Sequence, residues 1–439
     1  MSLQTIKMAF LANFSKVKVS RIIAPASHRG KSVQQLKAKQ KPIRAYSSDV
    51  KVLEVKNCVK TTNTEIKCGI DRKLFTPGPV MVSDRVKRAM LHDVGTRHAD
   101  FTYVIKFIRQ ALLQVANVTS DSHTAVLLNG SGTMATEAML QTVIPRKDKK
   151  MLVMVNGIYG QRIGQLCNKL NINCDVISHD LTLLEQRLSS ADDIIGVMAV
   201  QCETSSGMIN PVEEIGSVVK GISPDCLYFV DAVTSFGAIP VRMTNIDFLI
   251  SCANKSLQSV PGISFVVADK ETLQKHRGKG SGMVLDVADQ CDELDRTGQF
   301  RFTPPTHAML AFKEALLEHI KEGRVEGRAK RFRDNASTLK SEMTKMGFRQ
   351  LIDDEKNPNG YFVTSFVHPI NPLFVFEEFY QRLSDRGHVI CPDRSNLPNS
   401  FRIGCMGDLY PRDMQNLVDC IEVVCSDMGI NLPMDNRPL

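Results

Sequence analysis

Lys255 ends the stretch Asp247-Phe248-Leu249-Ile250-Ser251-Cys252-Ala253-Asn254-Lys255, directly behind an apolar, strand-like run. Most lysines lie on solvated faces. An amine held at the end of a buried strand, desolvated or beside another cation, becomes a nucleophile toward carbonyl carbon. Pro261-Gly262 then marks a tight turn that would fix the lysine's loop. A structural lysine fits the same pattern, so this feature alone leaves both readings open. Asp231 ends a second buried run, Tyr228-Phe229-Val230-Asp231-Ala232. Open α/β sheets bind ligands at the carboxyl ends of their strands, where a carboxylate can keep a pyridine nitrogen protonated. A helix cap or a loop acid would look the same. The third feature is Asn129-Gly130-Ser131-Gly132-Thr133, between a strand and a helix. Such a turn offers backbone N–H groups at a positive helix end, with the Ser131 and Thr133 hydroxyls as further donors to a phosphate. A ligand-free tight turn is the alternative.

The order of the three is informative. A phosphate turn, a pyridine acid and a lysine 24 residues beyond that acid are the parts a pyridoxal phosphate site requires. With these in place the chain resembles the class V, fold-type I aminotransferases, from about Leu74 to Leu417. The resemblance rests on Leu74-Phe75-Thr76-Pro77-Gly78-Pro79, the glycine turn, Asn156-Gly157-Ile158-Tyr159-Gly160-Gln161-Arg162 and Glu203-Thr204-Ser205-Ser206-Gly207-Met208. It continues through Val230 to Gly237, Ser251 to Gly262, Arg301-Phe302-Thr303-Pro304-Pro305-Thr306-His307 and Arg402-Ile403-Gly404. Gln201-Cys202-Glu203 departs from it, since relatives often carry His before the Glu.

What the resemblance implies is an expected set of roles. Lys255 carries pyridoxal phosphate and moves the proton between substrate carbon and cofactor. Asp231 pairs with the pyridine nitrogen, and Ser131, Gly132 and Thr133 hold the phosphate. Tyr159 stacks on the pyridine face, and Thr204 reaches the cofactor's phenolic oxygen. Thr303 is lent to the phosphate by a neighbouring subunit, which makes the protein a homodimer with shared sites. Arg402 anchors the substrate's carboxylate and can accept a phosphonate through the same planar fork. Arg97 is a second anion contact or a structural salt bridge, and His307 a packing or interface residue.

The positioning elements read as an α/β fold. Near-continuous apolar runs at Ala125–Leu128, Met151–Val155, Ile194–Val200, Leu227–Val230, Phe248–Ser251 and Ser264–Ala268 predict a mostly parallel sheet covered by helices. Helices are expected from Thr133 to about Val143, from Tyr159 to about Leu170, and over Pro304–Leu317 and Val325–Met346. A smaller α+β domain follows, with strands at Phe362–Val367, Val389–Ile390 and Phe401–Gly404 and helices around Phe374–Arg386 and Pro411–Cys425. The expected division is a targeting peptide at 1–48, a linker at 49–73, a large cofactor-binding domain at 74–330 and a small domain at 331–439.

The 439 residues carry 43% hydrophobic and 23% charged side chains, as soluble globular proteins do. No apolar run reaches the roughly 18–20 residues that cross a bilayer, so no membrane partner is expected. The net charge of +8 is uneven: residues 1–48 hold ten Lys or Arg and no acid, leaving 45 bases against 47 acids beyond them. The folded part therefore gives no reason to expect nucleic acid. A basic, acid-free, Ser-containing leader ending in Arg44-Ala45-Tyr46-Ser47-Ser48 resembles a mitochondrial targeting peptide, so the matrix is the expected location; a disordered basic tail is the alternative. Twelve cysteines show no CxxC pair and no zinc-like spacing, which suits a reducing compartment and predicts no metal.

The expected activity is amino transfer from 2-aminoethylphosphonate to pyruvate, giving phosphonoacetaldehyde and L-alanine. The stretches Ala253 to Gly262 and Phe302 to His307 point to that phosphonate branch. Alanine–glyoxylate or serine–glyoxylate aminotransfer would use the same Lys255, Asp231 and Arg402. A non-catalytic relative predicts the loss of a core site residue, yet all are present.

Overall fold

Runs of Val, Ile, Leu and Met have too little polar surface to face water on either side, so they pair side by side under a cover of helices. That pattern organises the protein, seen in a computed structural model that describes residues 72–144, 149–352, 355, 357, 360–392 and 399–434. All of these belong to one compact unit, Cys68–Leu439.

The strands are β1 (Lys73–Phe75), β2 (His123–Asn129), β3 (Lys150–Val155), β4 (Asn173–Ser178), β5 (Ile194–Val200), β6 (Cys202–Glu203) and β7 (Met208–Ile209). They continue with β8 (Leu227–Asp231), β9 (Phe248–Cys252), β10 (Ile263–Asp269), β11 (Val363–Val367), β12 (His388–Pro392) and β13 (Ser400–Gly404). Seven form the main sheet in the order β2-β10-β9-β8-β5-β3-β4, parallel except for β10, which runs against both β2 and β9. The register sets Val200 beside Asp231 and Asp231 beside Ile250, so the carboxyl ends of β5, β8 and β9 open onto one rim. β4 closes the edge, with Val176 and two further positions exposed in its six residues. One-sided burial explains why its sequence carries no apolar run.

The helices are α1 (Asp84–Ala89), α2 (Ala99–Val115), α3 (Gly132–Val143), α4 (Ile158–Lys169), α5 (Leu181–Ser190) and α6 (Val212–Ile222). They continue with α7 (Lys270–Lys275), α8 (Val287–Thr297), α9 (Thr306–Lys321), α10 (Arg324–Lys345), α11 (Phe376–Asp385) and α12 (Pro411–Asp427). In α2, Phe101, Val104, Ile105, Ile108 and Leu112 repeat at helical spacing and join the core of the main sheet. Among the described residues no helix is long and apolar enough to cross a membrane.

A second core surrounds the four-stranded sheet β1-β12-β13-β11. Within it Phe348 has the rings of Phe366, Phe374, Phe379 and Phe401 at 6.0–6.4 Å. β1, from the start of the described chain, pairs in parallel with β12 near its end. The division expected between residues 330 and 331 falls inside α10, which is continuous from Arg324 to Lys345. Val325 sits in the first core, while Phe332, Ala336, Leu339 and Met343 sit in the second. One helix thus belongs to both cores.

Candidate active site

Lys255 follows β9 in a turn pinned on both sides. Ala253 N–H donates to the Ile263 carbonyl (3.0 Å), and Ser259 N–H to the Ala253 carbonyl (2.9 Å). The lysine's Nζ donates to the Pro77 carbonyl at 2.8 Å. Its stem lies along Gly78, where an added Cβ would stand 2.6 Å from Cε and overlap Nζ. Gly78 also has φ +134°, which favours glycine. Gly78→Ala is therefore expected to displace the lysine amine and cut kcat about tenfold or more. Steady-state kinetics beside a melting curve check this, since a fall in stability with normal kcat would leave the amine where it was.

Asp231 ends β8 and accepts from Val233 N–H at 2.9 Å. Low-dielectric surroundings raise its pKa to about 6; Val233 N–H pulls the other way, Glu203 pushes further up, and Arg162 and Lys255 pull down. A native value above the unfolded one means that the folded chain binds this proton more tightly. Cofactor-free stability should fall as pH rises from about 4 to about 6, and Asp231→Asn should flatten that segment of the stability curve. A carboxylate is also what a protonated ring nitrogen needs, so cofactor affinity should weaken below about pH 6. Equilibrium titration of the cofactor at stepped pH measures it, and an affinity constant from pH 5 to 8 would contradict the pairing.

The glycine turn leads into α3. Ser131 caps the helix, its Oγ accepting from Met134 N–H at 3.4 Å, so its hydroxyl hydrogen stays free to donate. Gly132 lies against Val233, with no room for a Cβ, which sets the turn beside the Asp231 loop. Gly130 (φ +117°) is tied to Gly262 by its N–H (2.9 Å). Thr133 is half-buried on the first turn of the helix.

Tyr159 opens α4, half-buried, with the Arg162 guanidinium 4.8 Å from its ring centroid. The start of this helix is capped by a residue the sequence did not single out for that task. Fully buried Glu203 accepts from Tyr159 N–H (3.1 Å) and Gly160 N–H (3.3 Å) with one oxygen, and from Ser205 N–H (3.1 Å) with the other. A carboxylate at a helix N-terminus is favourable on both hydrogen-bond and dipole grounds. The signal missed was an acid between two buried strand ends. The departure at Gln201-Cys202 is accommodated: Gln201 Oε1 accepts from Ser235 Oγ (2.6 Å), and burial pushes the Cys202 thiol up.

Thr204 is buried in the β6–β7 hairpin, and its carbonyl accepts from Arg402 Nη1 at 2.7 Å. Arg402, on β13 and also buried, directs Nη2 toward Cys391 Sγ at 3.6 Å. The structure thus brings Lys255, Asp231, Ser131, Gly132, Thr133, Tyr159 and Thr204 to the main sheet's rim, with Arg402 reaching it from the second sheet. Thr303 is exposed; its carbonyl accepts from Asn129 Nδ2 (3.1 Å), two residues ahead of Ser131. Arg97 is exposed ahead of α2, and His307 Nε2 meets Asp93 at 3.0 Å on the surface. A cavity of about 430 Å³ between Arg109, His123 and Lys270 lies at the other end of β2 and includes none of these residues.

This donor set suits pyridoxal phosphate. An amine, a carboxylate at a strand end, a helix N-terminus with free hydroxyls and an aromatic ring stand around one rim, and each matches a different part of that molecule. The comparisons agree. The family model for class-V aminotransferases matches residues 83–382, and the chain belongs to that family. A Vibrio vulnificus protein called 2-aminoethylphosphonate–pyruvate transaminase is 40% identical over 80% of this chain and 96% of its own length. A protein of the same name from Phocaeicola vulgatus is 39% identical over 80% of this chain and 98% of its own. A longer Clostridioides difficile protein, a bifunctional phosphonoacetaldehyde hydrolase/aminoethylphosphonate transaminase, is 40% identical over 83% of this chain, which spans 58% of it. Among solved structures, ureidoglycine–glyoxylate aminotransferase from Bacillus subtilis superposes with a TM-score of 0.74 at 22% identity, covering 84% of this chain and 96% of that one. The fold is that of the fold-type I aminotransferases, and the protein is a pyridoxal-phosphate-dependent aminotransferase acting on small molecules.

One expectation is corrected. The targeting peptide at 1–48 and the mitochondrial matrix address do not agree with these relatives, which are bacterial proteins from organisms without mitochondria. Residues 1–48 lie outside the described residues.

Proposed function

We propose that the protein moves the amino group of 2-aminoethylphosphonate to pyruvate, giving phosphonoacetaldehyde and L-alanine. The observation that carries this is the match to transaminases named for that reaction, at about 40% identity along nearly their whole length. Solved glyoxylate aminotransferases match below 25% identity and speak for the fold alone.

Each residue then has a task. Pyridoxal phosphate, when bound, supplies the electron sink that stabilises a carbanion on the substrate. Lys255 holds it and moves the proton to and from the substrate carbon through Nζ. Asp231 faces the ring nitrogen. Ser131, Gly132 and Thr133 bind the phosphate at the start of α3. Tyr159, steadied by Arg162, would hold the aromatic ring of the bound cofactor, and Thr204 would supply a hydroxyl to its phenolic oxygen. Arg402, its plane fixed by Thr204 and Cys391, takes the phosphonate of the donor and then the carboxylate of pyruvate with one fork. In a homodimer Thr303 serves the neighbouring phosphate, so each site is completed by its partner. The leftover Asn129–Thr303 bond would join a subunit's own phosphate turn to the loop it lends.

A donor and acceptor screen tests the reading. With 2-aminoethylphosphonate, alanine and serine offered against pyruvate and glyoxylate, turnover is expected first with the aminophosphonate and pyruvate. Turnover confined to alanine and glyoxylate would overturn it. Sedimentation at assay concentration tests the dimer, where a monomer with full activity would rule out a shared site.

A further inference from the structure

Lys255 is held at two ends by parts of the chain that meet on α10. At the backbone end, Gln258 N–H donates to the Lys255 carbonyl (2.9 Å), and Gln258 takes φ 55°, which a long L side chain seldom adopts. At the amine end, Pro77 receives Nζ. Pro77 leads to Met81, whose carbonyl accepts from Asp408 N–H at 2.8 Å. Beside it Gly407 (φ +102°) packs so closely that a Cβ would stand 3.0 Å from Met81 N.

Arg331 joins these two ends. Its Nη2 donates to Gln258 Oε1 (2.6 Å), and its Nη1 to the carbonyls of Gly407 (2.6 Å) and Leu409 (2.8 Å). Its Nε pairs with Glu322 at 2.6 Å. Arg328, with a side chain 1% exposed, holds the same carboxylate at 2.6 Å and donates to the carbonyl of Ser256, the residue after the lysine. Burial lowers the Arg328 pKa to about 10, with Glu322 working against that fall. Such a buried cluster is weak evidence for stability, because desolvation offsets most of the attraction. What it supplies is direction: guanidinium donors lie in a fixed plane, and here that plane spans two loops.

We infer that Arg331 is a positioning residue for amino transfer, setting the lysine's reach by fixing its turn through Gln258 and its amine's acceptor segment through Gly407. This rests on Lys255 being the cofactor-bearing lysine. It also ties the main-sheet rim to the loop after β13, the strand that carries Arg402, so the lysine and the anion anchor share one support.

Arg331→Met, Gln258→Gly and the double variant test it as holoenzymes. Gln258→Gly keeps a backbone that suits φ 55° and removes the side chain that meets Arg331. Each single change should lower kcat about tenfold, with KM for pyruvate within about twofold. The double variant should be no worse than the poorer single, because both cut one connection. The pH midpoint of the bound cofactor's visible absorbance should shift in the same direction in all three. Normal kcat and an unmoved midpoint in Gln258→Gly, losses that multiply, or a rise in KM alone would overturn the proposal. Borohydride trapping in the unaltered protein separates the two levels. Cofactor fixed at another residue overturns the Lys255 reading itself, whereas cofactor at Lys255 with unimpaired Gln258→Gly overturns only the positioning role.

Discussion

Lys255→Ala is expected to lower kcat for amino transfer about 10⁴-fold or more, since both covalent capture and proton transfer would be lost. The melting temperature should stay within about 3 °C, because the side chain packs against Gly78 rather than in an apolar core. Two thiols and an acid around it report its charge: the Lys255 ammonium lowers Asp231, Cys202 and Cys252 against burial that pushes all three up. Lys255→Arg restores that charge without a nucleophilic amine. It should be as inactive as alanine, because Gly78 and the Pro77 carbonyl leave a slot shaped for a slim amine. Activity in Lys255→Arg above about 1% of the unaltered protein would mean that charge, not the amine, is what the site needs. Absorbance after cofactor addition, with kcat, reads both outcomes.

Arg402→Ala should cost about 2–5 kcal/mol in kcat/KM, or roughly 30- to 4,000-fold, the range for removing one partner of a buried charged contact. The guanidinium is buried, and the Thr204 carbonyl and Cys391 thiol fix its plane. Its planar fork is therefore held at one angle, as a bidentate oxyanion requires. If one fork serves both substrates, the losses for 2-aminoethylphosphonate and for pyruvate should agree within a few-fold. Arg402→Lys should recover little, because an ammonium cannot match the planar pair. Half-reaction kinetics separate the substrates. A loss confined to pyruvate would place the phosphonate elsewhere.

The sequence made the central strands legible because β3, β5, β8, β9 and β10 are near-continuous apolar runs, and all but β5 end at or within two residues of Gly, Asp or Asn. Lys255, Asp231 and the glycine turn could be found for the same reason, since chemistry placed at strand ends interrupts an apolar pattern. β4 escaped because an edge strand with an exposed face reads as Asn-Cys-Asp-Val-Ile-Ser. The α2 helix has plain 3–4 spacing and is legible in principle. What spacing cannot supply is long-range approach. Gly78 against Lys255, Glu203 beneath Tyr159 and Arg331 between Gln258 and Gly407 join residues 177, 44, 73 and 76 positions apart. A buried acid such as Glu203 is visible in sequence only as an anomaly. The expected domain boundary lies within α10, which contributes to both cores, and nothing in its pattern says which core receives each turn.

The most direct measurement follows the nitrogen. With ¹⁵N-labelled 2-aminoethylphosphonate and unlabelled pyruvate, the label should appear in L-alanine in step with phosphonoacetaldehyde, and should not move in Lys255→Ala. Label that stays on the aminophosphonate, while alanine and glyoxylate exchange amino groups in the same preparation, would contradict the proposed reaction.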